Sequence, residues 1–236
     1  MRTIALLTDF GTRDPYVAAM KGVIASRCEC HIIDLTHDIA PFDVREAAFF
    51  LRDVERYWPT GTIFVCVVDP GVGTARRILA VEEEGRIFLA PDNGLLHFVR
   101  GDAYDVRDES LFLADGSTTF HGRDRFAPVA AAIANGAHIE DLGPRVDDRV
   151  LLDYIPGTIV RIDRFGNCVT DLVPPTEPFA ICVKEWRIDH LRTNYTGEGA
   201  FAIIGSTGCI EISVAGGSAA SLLQLSRGDR VAIAPK

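Results

Sequence analysis

Two apolar runs without polar alternation stand out along the chain: Thr3-Ile4-Ala5-Leu6-Leu7-Thr8 and Thr62-Ile63-Phe64-Val65-Cys66, the latter continued by Val67 and Val68. Such runs predict strands buried on both faces, as in a parallel sheet covered by helices. Residues 16–26 predict a helix, with Asp14 as its candidate cap and Pro15 suited to its first turn. Residues 31–35 predict a second short strand. Residues 44–56 carry apolar positions at helical spacing behind Asp43, a second candidate cap. Residues 78–81 and 87–90 predict a hairpin around the solvated acidic tip Glu82-Glu83-Glu84-Gly85-Arg86. Residues 127–135 predict a small-residue helix stopped by Gly136.

After Asp153 the pattern changes. Tyr154-Ile155-Pro156-Gly157 reads as a linker, and short strands follow at 158–162, 168–172, 179–183, 200–204, 209–214 and 230–234, with one short helical stretch at 218–223. The expected architecture is α/β: a Rossmann-like α/β domain over residues 1–153 and a smaller all-β, barrel-like domain over 154–236.

Composition narrows the function classes. A chain of 236 residues, 47% of them apolar, has ample material for a core. Its net charge of -9 leaves no basic stripe to displace counterions from phosphates, so no nucleic-acid partner is expected. No apolar run approaches a membrane span, and Ile4-Ala5-Leu6-Leu7 is too short for a signal-peptide core, so a cytoplasmic location and no membrane partner are expected. The six cysteines sit mostly in apolar, strand-like runs, where reduced thiols behave as small hydrophobes. Cys28-Glu29-Cys30 is too tight for zinc spacing and has no second pair, so no metal site is expected there.

The candidate chemistry lies where strands end. In open α/β sheets, ligands bind outside the carboxyl ends of the strands. Asp69 falls at such an end, and Pro70, Gly71 and Gly73 turn the chain sharply enough to return Arg76 toward it. A carboxylate and guanidinium on a rigid turn can polarise a small molecule such as water; an Asp-Arg pair that only staples the turn is the alternative. Asp9 follows the first strand too far from the helix to cap it. Asp92 and Asn93 again fall at a strand end, and His121 lies in a loop beside Gly122, ahead of a helix. Phe42 is either core or an aromatic wall for a planar ligand.

Five motifs occur together over essentially the whole chain: Thr8-Asp9-Phe10-Gly11; Asp69-Pro70-Gly71-Val72-Gly73-Thr74 with Arg76; Ala90-Pro91-Asp92-Asn93-Gly94-Leu95-Leu96; Thr119-Phe120-His121-Gly122-Arg123-Asp124; and Asp163-Arg164-Phe165-Gly166-Asn167. In this order they resemble the S-adenosyl-L-methionine (SAM) hydroxide adenosyltransferases, relatives of the SAM-dependent fluorinase and chlorinase. The resemblance implies a homotrimer whose active sites form between the first domain of one subunit and the second domain of its neighbour. It implies water or hydroxide attacking ribose C5′ of SAM, releasing methionine and leaving adenosine, with SAM as substrate and no cofactor. Asp69, Arg76 and His121 would hold and activate the water. Asp9 would bind the ribose hydroxyls, Phe42 would pack on the substrate, Asn167 would face the adenine and Asp163 the methionine amino group. Asp14, Phe120, Phe165, Ser206 and Val214 would complete the substrate-binding set.

Departures from the halogenases are informative. Asp69 stands where the fluorinase has an aromatic hydroxyl residue, and Gly122 where it has a serine beside the halide. A carboxylate there repels a halide, which favours hydrolysis. Thr207 and Val214 stand where arginines are expected near the methionine carboxylate. Two other classes are a SAM or adenosine sensor, which would not need Asp69, Arg76 and His121, and a metal-dependent phosphohydrolase using Asp9, Asp69, Asp92 and His121 as ligands. Arg76 beside such a cluster would weaken metal binding. No Walker loop or dinucleotide glycine fingerprint is present.

Overall fold

The structure, a computed structural model, describes residues 1–236. The chain is a mixed α/β protein that divides into two compact units, Met1–Leu152 and Asp153–Lys236.

In the first unit the two apolar runs become β1 (Thr3–Thr8) and β3 (Ile63–Val67), paired in parallel as the second and third strands of a seven-stranded sheet. Their residues from Ile4 to Leu7 and from Ile63 to Cys66 are fully buried, as a strand covered on both faces requires. Helix α1 (Tyr16–Arg27) leads from β1 to β2 (His31–Thr36), on one side of β1; helix α2 (Val44–Val54) leads back to β3 on the other. The chain therefore reverses direction across the sheet between β1 and β3. Met20 and Ile24 of α1 pack in one apolar core, and Ala47 and Leu51 of α2 in another; β1 contributes alternate residues to each. In doubly wound sheets such a reversal opens a crevice at the strands' carboxyl ends, where Asp9 and Asp69 follow β1 and β3.

Strand β4 (Ile78–Glu83) and β5 (Arg86–Pro91) form the expected hairpin, closed by Glu84 and Gly85 at φ of 50° and 74°. Both central residues in the left-handed region make the tight turn that matches strand twist. Its tip is not simply solvated: Arg86 is buried and pairs with Glu84 and Glu55. Strand β5 is parallel to β3, whereas β6 (Asp102–Asp105) and β7 (Arg145–Val146) extend the sheet antiparallel beyond β4.

Helix boundaries differ from expectation in three places. Asp14 does not cap α1; Pro15 holds that position and no side chain caps it. Helix α2 stops at Val54 and tightens into a 3-10 turn at Glu55–Tyr57, while Asp43 caps its start by accepting from the Glu46 N–H at 2.7 Å. His121 has helical backbone angles and opens a π-helical turn, Gly122–Phe126, which runs into α3 (Ala127–Ala134).

The second unit holds a five-stranded and a three-stranded sheet. The first is ordered β12 (Leu191–Arg192), β13 (Ala200–Ile204), β14 (Ile210–Val214), β9 (Cys168–Thr170), β8 (Ile159–Ile162); the second, β11 (Trp186–Ile188), β10 (Phe179–Val183), β15 (Val231–Pro235). One short helix, α4 (Ala219–Leu222), follows β14, capped by Ser218. All six cysteines are free, and no helix is long and apolar enough to cross a membrane.

Candidate active site

The loop after β3 carries out the return that its glycines allow. Arg76 Nε lies 2.9 Å from both carboxylate oxygens of Asp69, and a terminal guanidinium nitrogen also meets Oδ2. Both side chains are nearly inaccessible, at 4% exposure for Asp69 and 9% for Arg76. The terminal nitrogen lies 2.9 Å from His121 Nδ1, so Arg76 bridges the carboxylate and the imidazole. Gly73, at φ 81°, permits the loop to lie against the segment leading to His121: a Cβ there would come within 2.7 Å of the Thr118 carbonyl oxygen.

The guanidinium can only donate, so His121 Nδ1 accepts and the neutral ring carries its proton on Nε2. That Nε2 is buried and has no hydrogen-bond partner within the chain. Burial, with Arg125 and Arg76 nearby, pushes the His121 pKa below its ordinary value, favouring the neutral ring.

Asp69 and His121 line a cavity of about 210 Å³ together with Phe10, Tyr16 and Phe120. The three aromatic rings pack mutually, with centroids 5.1 to 5.8 Å apart, and form an apolar wall beside the charged cluster. Tyr16 lies outside the expected set: it reads as the first residue of a helix, and nothing in its spacing ties it to Phe120.

Asp9 accepts the Phe42 N–H at 2.8 Å through Oδ2. Phe42 is neither core nor relaxed: it is 71% exposed and sits at φ 67°, an uncommon conformation for a bulky side chain. Asp14 is exposed in the loop ahead of α1 and does not line the cavity.

In the second unit, Asp163, Phe165, Asn167 and Val214 line a single cavity of about 700 Å³. The Asp163 carboxylate organises the β8–β9 turn, accepting the N–H groups of Phe165 and Asn167 at 2.9 and 2.8 Å and the Asn167 side-chain amide at 2.9 Å. Gly166 is required by its φ of 84° and by Ser218, which a Cβ would meet at 2.1 Å. Phe165 projects from this turn, 76% exposed. Tyr195, absent from the expected set, also lines the cavity and donates to Glu211 at 3.0 Å. Ser206 lies in the turn between β13 and β14 and does not line it.

The four residues weighed as metal ligands do not form a metal-holding group. Asp69 is engaged by Arg76, and Asp92 by Arg77 at 2.7 Å.

Comparison with known proteins covers both units. Residues 4–143 match the family model of the SAM hydroxide adenosyltransferase N-terminal domain, and residues 157–232 that of its C-terminal domain. A protein of Thermus thermophilus named (R)-S-adenosyl-L-methionine hydrolase is 39% identical, across 97% of this chain and 98% of its own. A Salinispora tropica protein of the same name is 36% identical, across 98% and 97%. A fluorinase from Actinoplanes sp. is 29% identical across 72% of this chain and 71% of its own. The crystal structure of an uncharacterized conserved protein from Thermotoga maritima superposes with a TM-score of 0.90 at 31% identity, covering 98% of this chain and all of that one.

Proposed function

The chain belongs to the SAM hydroxide adenosyltransferase family, and on that premise we propose that it hydrolyses S-adenosyl-L-methionine to adenosine and L-methionine. The observation that carries this reading is the Arg76 bridge between Asp69 and His121 on the wall of one cavity. A sensor has no need of a buried carboxylate, guanidinium and imidazole arranged around a small space.

The chemistry is an in-line displacement at ribose C5′. Water oxygen forms the new bond to C5′, the C5′–S bond breaks with its electron pair going to sulfur, and the water proton leaves. The leaving group departs neutral from a cationic substrate, so charge disperses as the bond breaks and a dry, apolar wall favours the step. Bulk water, with a pKa of about 15.7, is too weak an acid to surrender its proton to a carboxylate beforehand. Proton transfer therefore accompanies attack. In our reading Asp69 accepts that proton, His121 Nε2–H holds the water oxygen, and the fixed positive charge of Arg76 stabilises developing hydroxide.

Asp9 offers its remaining oxygen to the ribose hydroxyls, and Phe42 and Phe165 present exposed rings to the nucleoside. Asn167 reads the adenine and Asp163 the methionine ammonium. We further read the first unit as Rossmann-like, supported by the reversal of strand order at β1, and the second as barrel-like. Each unit carries an open, partly aromatic cavity of its own. This supports a homotrimer in which the first unit of one subunit and the second unit of a neighbour enclose SAM together. The reaction calls for no cofactor, since the sulfonium supplies its own leaving group. Six free cysteines fit a cytoplasmic setting.

The test is incubation of the purified protein with SAM, with and without chelator, following adenosine and methionine. Chelator-insensitive formation of both products is expected. SAM retained intact would support a sensor instead, and chelator-sensitive phosphate release from phosphate esters a metal-dependent phosphohydrolase.

A further inference from the structure

The turn Pro91-Asp92-Asn93-Gly94 ends β5, the strand beside β3, and has no part in the reaction just described. It nevertheless grips the loop from Asp69 to Arg76 at both ends. Ahead of Asp69, the Asn93 side-chain amide donates to the Val68 carbonyl at 2.9 Å. Beyond Arg76, the Asp92 N–H donates to the Arg77 carbonyl at 3.0 Å, and the Asp92 carboxylate takes the Arg77 guanidinium at 2.7 Å.

The grip is itself anchored. Asn93 Oδ1 accepts the Leu95 N–H at 3.2 Å, which orients the amide so that its NH2 faces Val68. Asp92, with a side chain only 3% exposed, uses its other oxygen to accept the Val150 N–H at 2.8 Å. Arg77 continues to Asp148 at 2.6 Å. Gly94 closes the turn at φ 98°, where a Cβ would crowd Leu152 at 3.1 Å. An oriented amide thus holds the backbone ahead of Asp69, while the Asp92 N–H and its buried carboxylate hold the carbonyl and the side chain of Arg77, just beyond Arg76.

We propose that Asp92 and Asn93 are positioning residues for hydrolysis: by fixing Val68 and Arg77 they set where the Asp69 carboxylate meets Arg76, and so where it can receive the proton from water. The inference rests on the proposed hydrolysis and deepens it. A misplacement of about 1 Å at a reacting group can cost about a hundredfold in rate. An unclamped loop should therefore lower kcat while leaving the substrate-binding residues in place.

The test is steady-state SAM hydrolysis by the full-length wild type, Asn93→Ala and Asn93→Asp, with the folded fraction measured under assay conditions. Asn93→Ala is expected to lower kcat per folded molecule about tenfold or more, with KM within about twofold. Asn93→Asp presents a carboxylate to the Val68 carbonyl at neutral pH, and its protonation restores an O–H donor. Its kcat relative to wild type should recover as pH falls through the carboxyl range, while the Asn93→Ala ratio stays flat. If neither variant folds, Asp92→Asn, which keeps the shape and the acceptor for Val150, carries the same expectation for kcat. A folded variant with kcat within twofold of wild type, or identical pH behaviour of the two Asn93 variants, would overturn the proposal. A wild type that does not turn over SAM would overturn the proposed function instead. The clamp would then be read from a crystal structure of Asn93→Ala: a displaced Asp69–Arg76 contact supports it, and an unmoved one overturns it.

Discussion

Arg76 and His121 meet at 2.9 Å through a guanidinium nitrogen and Nδ1, and that one bond decides where the imidazole keeps its proton. A base that must take a proton through Nδ1 is blocked by Arg76, and one that must take it through Nε2 already carries a proton there. On this account His121 is a donor to the attacking water, and the proton passes to Asp69.

Substitution at His121 separates the two ring nitrogens. The amide of Gln reaches the region of Nε2, whereas the Asn side-chain oxygen reaches that of Nδ1. His121→Gln should therefore retain more activity than His121→Asn, which keeps an acceptor for Arg76 but loses the donor to water. Steady-state kcat for the pair checks this; the reverse order would contradict the donor role of His121.

Acid should act on this site below the ordinary histidine range. Burial, Arg125 and Arg76 lower the His121 pKa, so kcat should hold through about pH 6.5 and its acid limb should lie below that. Stability follows the same residue. Below about 6.5 the unfolded chain takes up a proton that the folded site refuses, so this contribution is complete above 6.5 and is lost as pH falls toward the depressed folded value. Melting temperature between pH 7 and 5 should consequently fall more steeply for wild type than for His121→Gln.

Asp69→Asn keeps the shape of the side chain and removes the proton acceptor. A fall in kcat of about a hundredfold or more is expected, with SAM affinity by calorimetry changed little, because the group acts on the nucleophile. Asp9→Ala should do the opposite, weakening SAM and adenosine binding by about tenfold, as loss of a carboxylate accepting hydroxyl hydrogen bonds would. Unchanged affinity would remove Asp9 from the ribose role.

Gly73→Ala tests the approach of the two loops. The left-handed backbone at φ 81° and the 2.7 Å approach to the Thr118 carbonyl predict a loss of stability of about 1–3 kcal/mol. Because the same contact seats the segment leading to His121, kcat should fall as well. Chemical denaturation alongside kinetics reads both.

What the sequence made legible follows from how local each signal is. The unbroken apolar runs of β1 and β3 announce strands buried on both faces, and Pro70, Gly71 and Gly73 announce a turn tight enough to return Arg76 to Asp69. Asp43 caps α2 as its position suggests. Strands β6, β7, β11 and β12 carry no such signal: they run two to four residues and include charged side chains, too short for any period to register. The π turn after His121 has no propensity signature, so that residue reads as a loop histidine although its backbone is helical. Tyr195 joins Glu211 only through space, sixteen positions apart, and Asn93 reaches Val68 across two neighbouring strands. Contacts of that kind leave no mark on residue order.

The most direct measurement is a turnover of SAM by the wild-type protein in water enriched in oxygen-18, with both products weighed by mass spectrometry. Attack of a water on C5′ predicts adenosine heavier by two mass units, with the label in its 5′-hydroxyl, and unlabelled methionine. Unlabelled adenosine, label in the methionine fragment, or intact SAM would contradict it.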